Sequence, residues 1–519
     1  MNRRLYFRNL LQNKDVLLMT AIGIISLLIR LPFFFIDIID WDESTFILMG
    51  QSILDGHLPY TQLWDLKPPL AFVAYASFIF ILGKSIISIR LAGTICVALT
   101  AFFVYLSGKK IASRSSAFLA AILTSAGISL LTGGQATMTE HVALVPLTAA
   151  LALVFCCEKI SDLKLTFLVG VLLTTAAFVR LNLGYTVIVI GCYLVLRQIP
   201  RWRQFLNHAL VYTLGCLLII FLAYFPYLIT GNSQLWWISV IVAPLQYSMD
   251  DSTIFESFRS LMMVLIGRSR RNLTLGVYLL IWIGGLLGII TPFLPNKYNR
   301  SPNFFQASFL ILMTGSVSLS ILRSGATFQH YLIQIIPFLG LGTAMLWQKL
   351  SQPRLLKHVV SVIVLLVVFS SLTPILDEYR SVGGRVRDGG PLQVGRTYEL
   401  AAYFRENQAE DEPIYMMIDH LVYWWIDSQP LTAMTTHPSN LSRGYLLEVV
   451  NGPGSSPESE LAEIFAAEPT FVVKGMFVNY LFSEEMQDAE DFLNQQLATH
   501  YEQETEILGR LIYKRIDSP

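Results

Sequence analysis

The sequence predicts a polytopic α-helical membrane protein that ends in a small water-soluble α/β domain. Three observations carry this. Hydrophobic residues make up 54% of the 519 and charged residues 14%, whereas soluble domains carry about 25% charged residues. Mean hydropathy is +0.54, which excludes a soluble or disordered chain, and no nucleic-acid partner is expected. The formal net charge of zero is a cancellation: residues 376–519 hold 10 basic and 24 acidic residues, leaving 27 and 13 for residues 1–375. One chain is therefore built for two solvents.

Taken in order, residues 17–35 are long enough to span a bilayer, which needs about 20 apolar residues. They follow Arg3, Arg4, Arg8 and Lys14, and such basic flanks stay cytoplasmic. No small-x-small cleavage motif closes the segment, so an uncleaved anchor is expected. The apolar run 69–82 is too short to cross and is expected on the outer surface. Further spans are expected near 86–107, 115–134, 142–157, 165–181, 184–198, 206–229, 273–293, 305–322, 331–348 and 358–375, about eleven in all. This count leaves Arg197, Arg201, Arg203, Lys297, Arg300, Lys349, Arg354 and Lys357 inside, as the positive-inside rule requires. Arg268, Arg270 and Arg271 come out external, which calls for an anion or a different count.

Residues 1–375 thus read as a membrane domain with a first external loop at 37–68, residues 376–390 as a flexible glycine-rich hinge, and residues 391–519 as an external α/β domain. In that tail, 413–419, 470–474 and 511–516 are β-prone, 459–467 and 484–496 helical, and 451–457 a loop. The five cysteines all lie in apolar segments, where they serve as small apolar residues and form no readable disulfide or zinc pattern.

Six of the 13 acids in the membrane part fall between Asp37 and Asp65: Asp37, Asp40, Asp42, Glu43, Asp55 and Asp65. The loop reads Asp37-Ile-Ile-Asp-Trp-Asp-Glu43, then Gly56-His-Leu-Pro-Tyr60, then Trp64-Asp-Leu-Lys-Pro-Pro-Leu70. Further on stand Ala136-Thr-Met-Thr-Glu-His141, Val179-Arg-Leu-Asn-Leu-Gly184 and Gln329-His-Tyr-Leu-Ile-Gln-Ile-Ile-Pro337. In this order the motifs resemble the polyprenyl-phosphate-sugar-dependent glycosyltransferases of the GT-C fold (glycosyltransferase family 39), relatives of the protein O-mannosyltransferases and the lipid A aminoarabinose transferase. The segment Pro413 to Pro430 is similar to the tail of bacterial members. Ser44-Thr45-Phe46 departs from the aminoarabinose branch, which has an arginine there, and the tail lacks the sugar-binding repeats of eukaryotic O-mannosyltransferases. These departures count against lipid A and against a protein acceptor.

The resemblance implies a sugar carried on a polyprenyl phosphate, an acceptor hydroxyl on a lipid, glycan or protein, and a bacterial inner membrane with the catalytic loop and tail outside. Phosphate is already a good leaving group, so a single base suffices, and a positioned carboxylate can supply it. Asp42 matches the first acid of the family pair; the competing reading is a helix N-cap by Asp40 or Asp42. Glu43 would orient the acceptor or join a weak metal site. Lys67, in the family's Lys-Pro-Pro box, would meet the leaving phosphate, against a snorkelling interfacial lysine. Asp65 would pair with Lys67 or help hold a divalent cation. Tyr60, Glu140, Arg180, Arg323, His330 and Tyr331 are the other expected substrate contacts, with Arg268 and Arg271 as further phosphate candidates. A divalent metal is the one cofactor considered, with Asp42, Glu43, Asp65, Glu140 and His141 as candidate ligands. The competing functions are a transporter or flippase of a lipid-linked sugar and a polymerase or ligase using a diphosphate donor. The tail is expected to cover the site and help select the acceptor.

Overall fold

The computed structural model describes residues 13–157, 162–247, 253–271, 275–291, 304–323, 328–350, 366–476 and 486–516. They form two compact units. Among the described residues six helices are long and apolar enough to cross a membrane: Lys14–Phe35, Ile86–Ile111, Thr139–Cys156, Trp202–Ile229, Phe304–Leu322 and Gln329–Leu350. Four shorter apolar helices, Arg114–Leu130, Leu163–Val179, Leu181–Leu196 and Gly276–Ile290, also lie where spans were expected. Of the span expected at 358–375, residues 358–365 lie outside the described residues.

The first unit comprises Met1–Phe34, Arg90–Phe221 and Asp251–Gly390. Lipid offers little hydrophobic drive between helices, so small residues that allow close approach decide the packing. Ile22 of the first helix packs against Ala101, Tyr105, Ala117 and Ala121. Leu275–Ile290 and Ile336–Leu350 meet through Gly285, Gly288 and Gly342, where any Cβ would strike the facing backbone. Asp15, fully buried, pairs with Lys109 at 2.8 Å and Arg114 at 3.1 Å and accepts the Tyr105 hydroxyl proton at 2.5 Å. One expectation is corrected. The segment read as a hinge is helical through Arg387, in the helix Thr373–Arg387, and turns only at Asp388–Gly390. Pro374 in the first turn and the Glu378–Arg385 pair at 3.4 Å favour that helix, against about 1 kcal/mol for each internal glycine.

The second unit comprises Phe35–Ile89, Leu222–Asp250 and Pro391–Pro519. Its tail holds a four-stranded sheet in the order β1-β2-β4-β3. β1 (Ile414–Met416) runs parallel to β2 (Phe471–Gly475), while β3 (Tyr501–Ile507) and β4 (Arg510–Arg515) form an antiparallel hairpin docked on β2. Helices Pro457–Ala466 and Gln487–His500 close a core that includes Tyr415, Leu461, Ile464, Leu493 and Leu497. Three strands match the expectation and β3 was missed. It is a polar edge strand, and its one signal is the two-residue turn Leu508-Gly509, both at positive φ (46° and 77°), as hairpin turns require.

The same unit contains the first loop. Its helix Trp41–Leu54 crosses helix Pro69–Leu82, with Gly50 against Tyr75 and Ala76 and the Phe46 and Tyr75 rings 5.5 Å apart edge-on. Fourteen residues make a helix of about 21 Å, short of the roughly 30 Å of a bilayer core.

Candidate active site

The clustered acids of the first loop have separate tasks. Asp37 accepts the Thr397 backbone N–H at 2.7 Å and its hydroxyl at 2.8 Å, fastening the start of helix Arg396–Glu406. Asp40 is the N-cap of Trp41–Leu54 and accepts the Asp42 N–H at 3.2 Å. The capping role therefore belongs to Asp40, and Asp42 stands in the first turn, where the helix dipole favours its negative charge. Asp55 accepts from Gln51 at 2.9 Å. Asp65 accepts the Lys67 backbone N–H at 3.1 Å and so shapes the turn into Pro68-Pro69. Glu43 is buried.

Tyr60, an expected substrate contact, braces the loop. It is buried at φ 72°, its hydroxyl donates to the Lys67 carbonyl at 2.6 Å, and its ring meets Phe72 edge-on.

Lys67 and His437 flank the Asp42 carboxylate. Lys67 Nζ lies 3.7 Å from Oδ2 and His437 Nε2 lies 3.2 Å from Oδ1. The Asp42 side chain remains 22% exposed, enough for a substrate to reach it. The Lys67 ammonium also sits over the Phe46 ring at 5.5 Å.

His437 comes from the tail, and the tail segment that bears it is bonded directly to the loop. Trp64 N–H donates to the Ala433 carbonyl at 2.8 Å, and the Trp64 carbonyl accepts from the Thr436 hydroxyl at 2.5 Å and from Asn440 at 3.4 Å. Thr45 donates to the Thr436 carbonyl at 2.8 Å, and Trp64 Nε1 to Ser239 at 3.0 Å. Behind this segment Glu460 accepts from Thr432 at 2.5 Å and from Asn451 at 2.8 Å, and burial pushes its carboxyl pKa up. His420 lines the same small pocket as His437. Burial, with a smaller contribution from His437, draws its pKa down to about 3. Sequence reasoning missed His437 and Trp64 in these roles.

The first unit holds its own buried polar centre. Arg180 Nη1 lies 2.9 Å from Glu140 Oε1, off the line of a hydrogen bond, and donates to Thr139 at 3.1 Å. The Arg180 guanidinium lies 4.2 Å from the Tyr331 ring centroid, and His330 Nε2 lies 3.7 Å from Glu140 Oε1. Asn182 donates to Gln334 at 3.3 Å and to the Ser320 carbonyl at 3.2 Å. The turn before Glu140 is gripped by Arg30 on the carbonyls of Gly134, Gln135 and Ala136, and by Arg90 on Gln135.

In His141, a metal candidate from the sequence, Nδ1 accepts the Met138 N–H at 3.0 Å and Nε2 is 3.1 Å from the Gly134 carbonyl. Arg323 is exposed at the end of helix Phe304–Leu322. Arg268 and Arg271 fall in the last turn of helix Ile254–Arg271. Among the described residues no three His, Cys, Asp or Glu side chains gather to hold an ion. The candidate ligands divide between the units, Asp42, Glu43 and Asp65 in one and Glu140 and His141 in the other. No step is routed through a metal.

Residues 66–229 match the family described as dolichyl-phosphate-mannose-protein mannosyltransferase. Nearly the whole chain superimposes on ArnT from Cupriavidus metallidurans. With the ArnT structure bound to undecaprenyl phosphate the TM-score is 0.60 at 13% identity, covering 97% of this chain and 98% of that one. With apo ArnT it is 0.62 at 12% identity, covering 96% and 98%.

The chain has the GT-C fold.

A third GT-C structure, the Archaeoglobus fulgidus oligosaccharyltransferase tethered with an acceptor peptide, gives a TM-score of 0.50 at 11% identity, covering 98% of this chain and 74% of that one. No curated protein matches by sequence. This GT-C chain is an integral membrane protein. The stretch shared with the mannosyltransferase family contains Lys67, Glu140 and Arg180, whereas Asp42, His330 and His437 lie outside it.

Proposed function

We propose that this chain is a membrane glycosyltransferase that moves a sugar from a polyprenyl monophosphate to an acceptor hydroxyl on the external face, with Asp42 as the base. The observation that carries the reading is the Asp42 carboxylate itself. It is relieved of capping by Asp40, partly exposed, and flanked by one ammonium and one imidazole. ArnT, of the same fold, has been solved with undecaprenyl phosphate, which supports a lipid phosphate as the carrier.

In the proposed step the acceptor oxygen attacks the anomeric carbon while its proton passes to the Asp42 carboxylate. The new carbon–oxygen bond forms as the bond to the phosphate oxygen breaks, and that electron pair leaves on the lipid phosphate. Attack opposite the leaving group inverts the anomeric centre. Lys67 stabilises the phosphate as its charge grows. As the phosphate takes up the ammonium, Lys67 relaxes its hold on Asp42 and the carboxylate becomes the better base.

Mass spectrometry of lipids tests this reading. Cells lacking the protein should accumulate one polyprenyl-monophosphate sugar, and wild-type protein should clear it. Asp42→Asn should fail to clear it while binding undecaprenyl phosphate normally, and clearance by that variant at the wild-type rate would sink the mechanism.

A further inference from the structure

We infer that His437, supplied by the C-terminal tail, is the positioning residue of the reaction: its Nε2–H fixes the Asp42 carboxylate so that Oδ2 is the oxygen presented to the acceptor hydroxyl. The inference rests on the reading of Asp42 as base.

The tautomer follows from His437's own neighbours. Its Nδ1 is the N-cap acceptor of the short helix Pro438–Leu441 and takes the Ser439 backbone N–H at 3.1 Å. A backbone N–H can only donate, so Nδ1 carries a lone pair and the ring proton is on Nε2. The Ser439 hydroxyl, 2.7 Å from the same nitrogen, shares that lone pair as a second donor and in turn accepts from Arg443 at 3.1 Å. Nε2–H therefore points its proton at Asp42 Oδ1, 3.2 Å away.

The ring is held from behind as well. Pro438 restricts the backbone of His437 to extended geometry, observed at φ −147° and ψ 137°. The bonds of Thr436, Ala433 and Asn440 to Trp64, and of Thr45 to Thr436, tie the histidine to the loop that carries Asp42. Catalytic geometry tolerates errors of about 0.5 Å. A hydrogen bond to Oδ1 fixes the rotation of this carboxylate about χ2 more narrowly than the 3.7 Å contact with Lys67 does. His437 keeps its proton throughout the reaction, and the acceptor's proton goes to Asp42 alone.

Full-length variants in cells lacking the wild-type copy give the test, with the accumulated polyprenyl-monophosphate sugar as the measure of transfer and undecaprenyl phosphate as the binding probe. His437→Ala should cut transfer about 10- to 100-fold, the usual effect of losing an orienting partner. His437→Gln, whose amide N–H can reach Asp42 from the place of Nε2, should restore transfer to within about threefold of wild type. Both should bind undecaprenyl phosphate as wild type does. Wild-type transfer by His437→Ala, with Asp42→Asn inactive, would overturn the role of His437 and leave the function standing. Wild-type transfer by Asp42→Asn would overturn Asp42 as the base, and with it the role of His437. Equal loss in the Ala and Gln variants would also refute donation. Should either variant fail to fold, nitrogen-15 spectra of histidine-labelled wild-type and Asp42→Asn protein decide. An Nδ1–H tautomer at His437, or a His437 signal unmoved by Asp42→Asn, would refute the inference.

Discussion

Asp37 and Thr397 are joined twice over, one carboxylate oxygen taking both the backbone N–H and the hydroxyl of the threonine. Gly395, at φ 144°, leaves the room this requires, since a Cβ there would strike the carboxylate. An acid from the end of the first membrane segment thus begins the fold of the tail. Asp37→Ala should destabilise that region by about 1.5–3 kcal/mol per charged hydrogen bond lost, and Asp37→Asn by less. Trypsin cleavage at Arg396 in the intact chain reports the loosening, and an unchanged cleavage rate in the alanine variant would exclude it.

Arg180 is the neutralising partner of Glu140 in the first unit, and both side chains are buried. Removing one member of a buried pair strands the other, at about 3–5 kcal/mol. Arg180→Ala should therefore lower the melting temperature sharply, and adding Glu140→Gln should recover part of the loss. Additive losses in the double variant would show that the two charges are not coupled.

Lys67 should govern the affinity for lipid phosphate. Lys67→Met should weaken binding of undecaprenyl phosphate about tenfold or more, equivalent to about 1.4 kcal/mol, and Lys67→Arg should keep most of it while slowing transfer. Titration of the lipid into purified protein measures this. Unchanged affinity in Lys67→Met would move the phosphate elsewhere.

Acid should destabilise the tail through His420. Its folded pKa of about 3 lies below the unfolded value of about 6.5, so between those values the unfolded chain binds the extra proton. The contribution is complete above about pH 6.5 and is lost as pH falls toward 3. Glu460 acts in the opposite sense: its pKa is raised by burial, so its contribution is full at acid pH and is lost as pH rises through the raised value. The His420→Gln protein should lose less stability than wild type between pH 7.5 and 5, and the Glu460→Gln protein more. Parallel melting curves for all three would contradict the assignment.

The membrane spans were legible because lipid imposes length and composition on each one separately. The Lys67-Pro-Pro box and Asp42 were legible as motifs, but the division of labour among the loop acids was not. Asp40 and Asp42 offer the same side chain two residues apart, and only the observed helix start says which one caps. His437 sits in Thr435-Thr436-His437-Pro438, with no chemical pattern around it and most of the chain between it and Asp42. Nothing local in the sequence links them, because the pairing is made by the bonds of Trp64 to the tail. Strand β3 escaped for a simpler reason: as an edge strand it buries few of its side chains.

Those bonds to Trp64 also set an order of assembly. A ribosome emits Asp42 and Lys67 well before the partners of Trp64 at Ala433, Thr436 and Asn440. Until then the loop has its acids and its lysine without the frame that aims them. A chain cut short before Ala433 would carry the acids and the lysine of the loop without those bonds, and under the proposed mechanism it would be chemically silent.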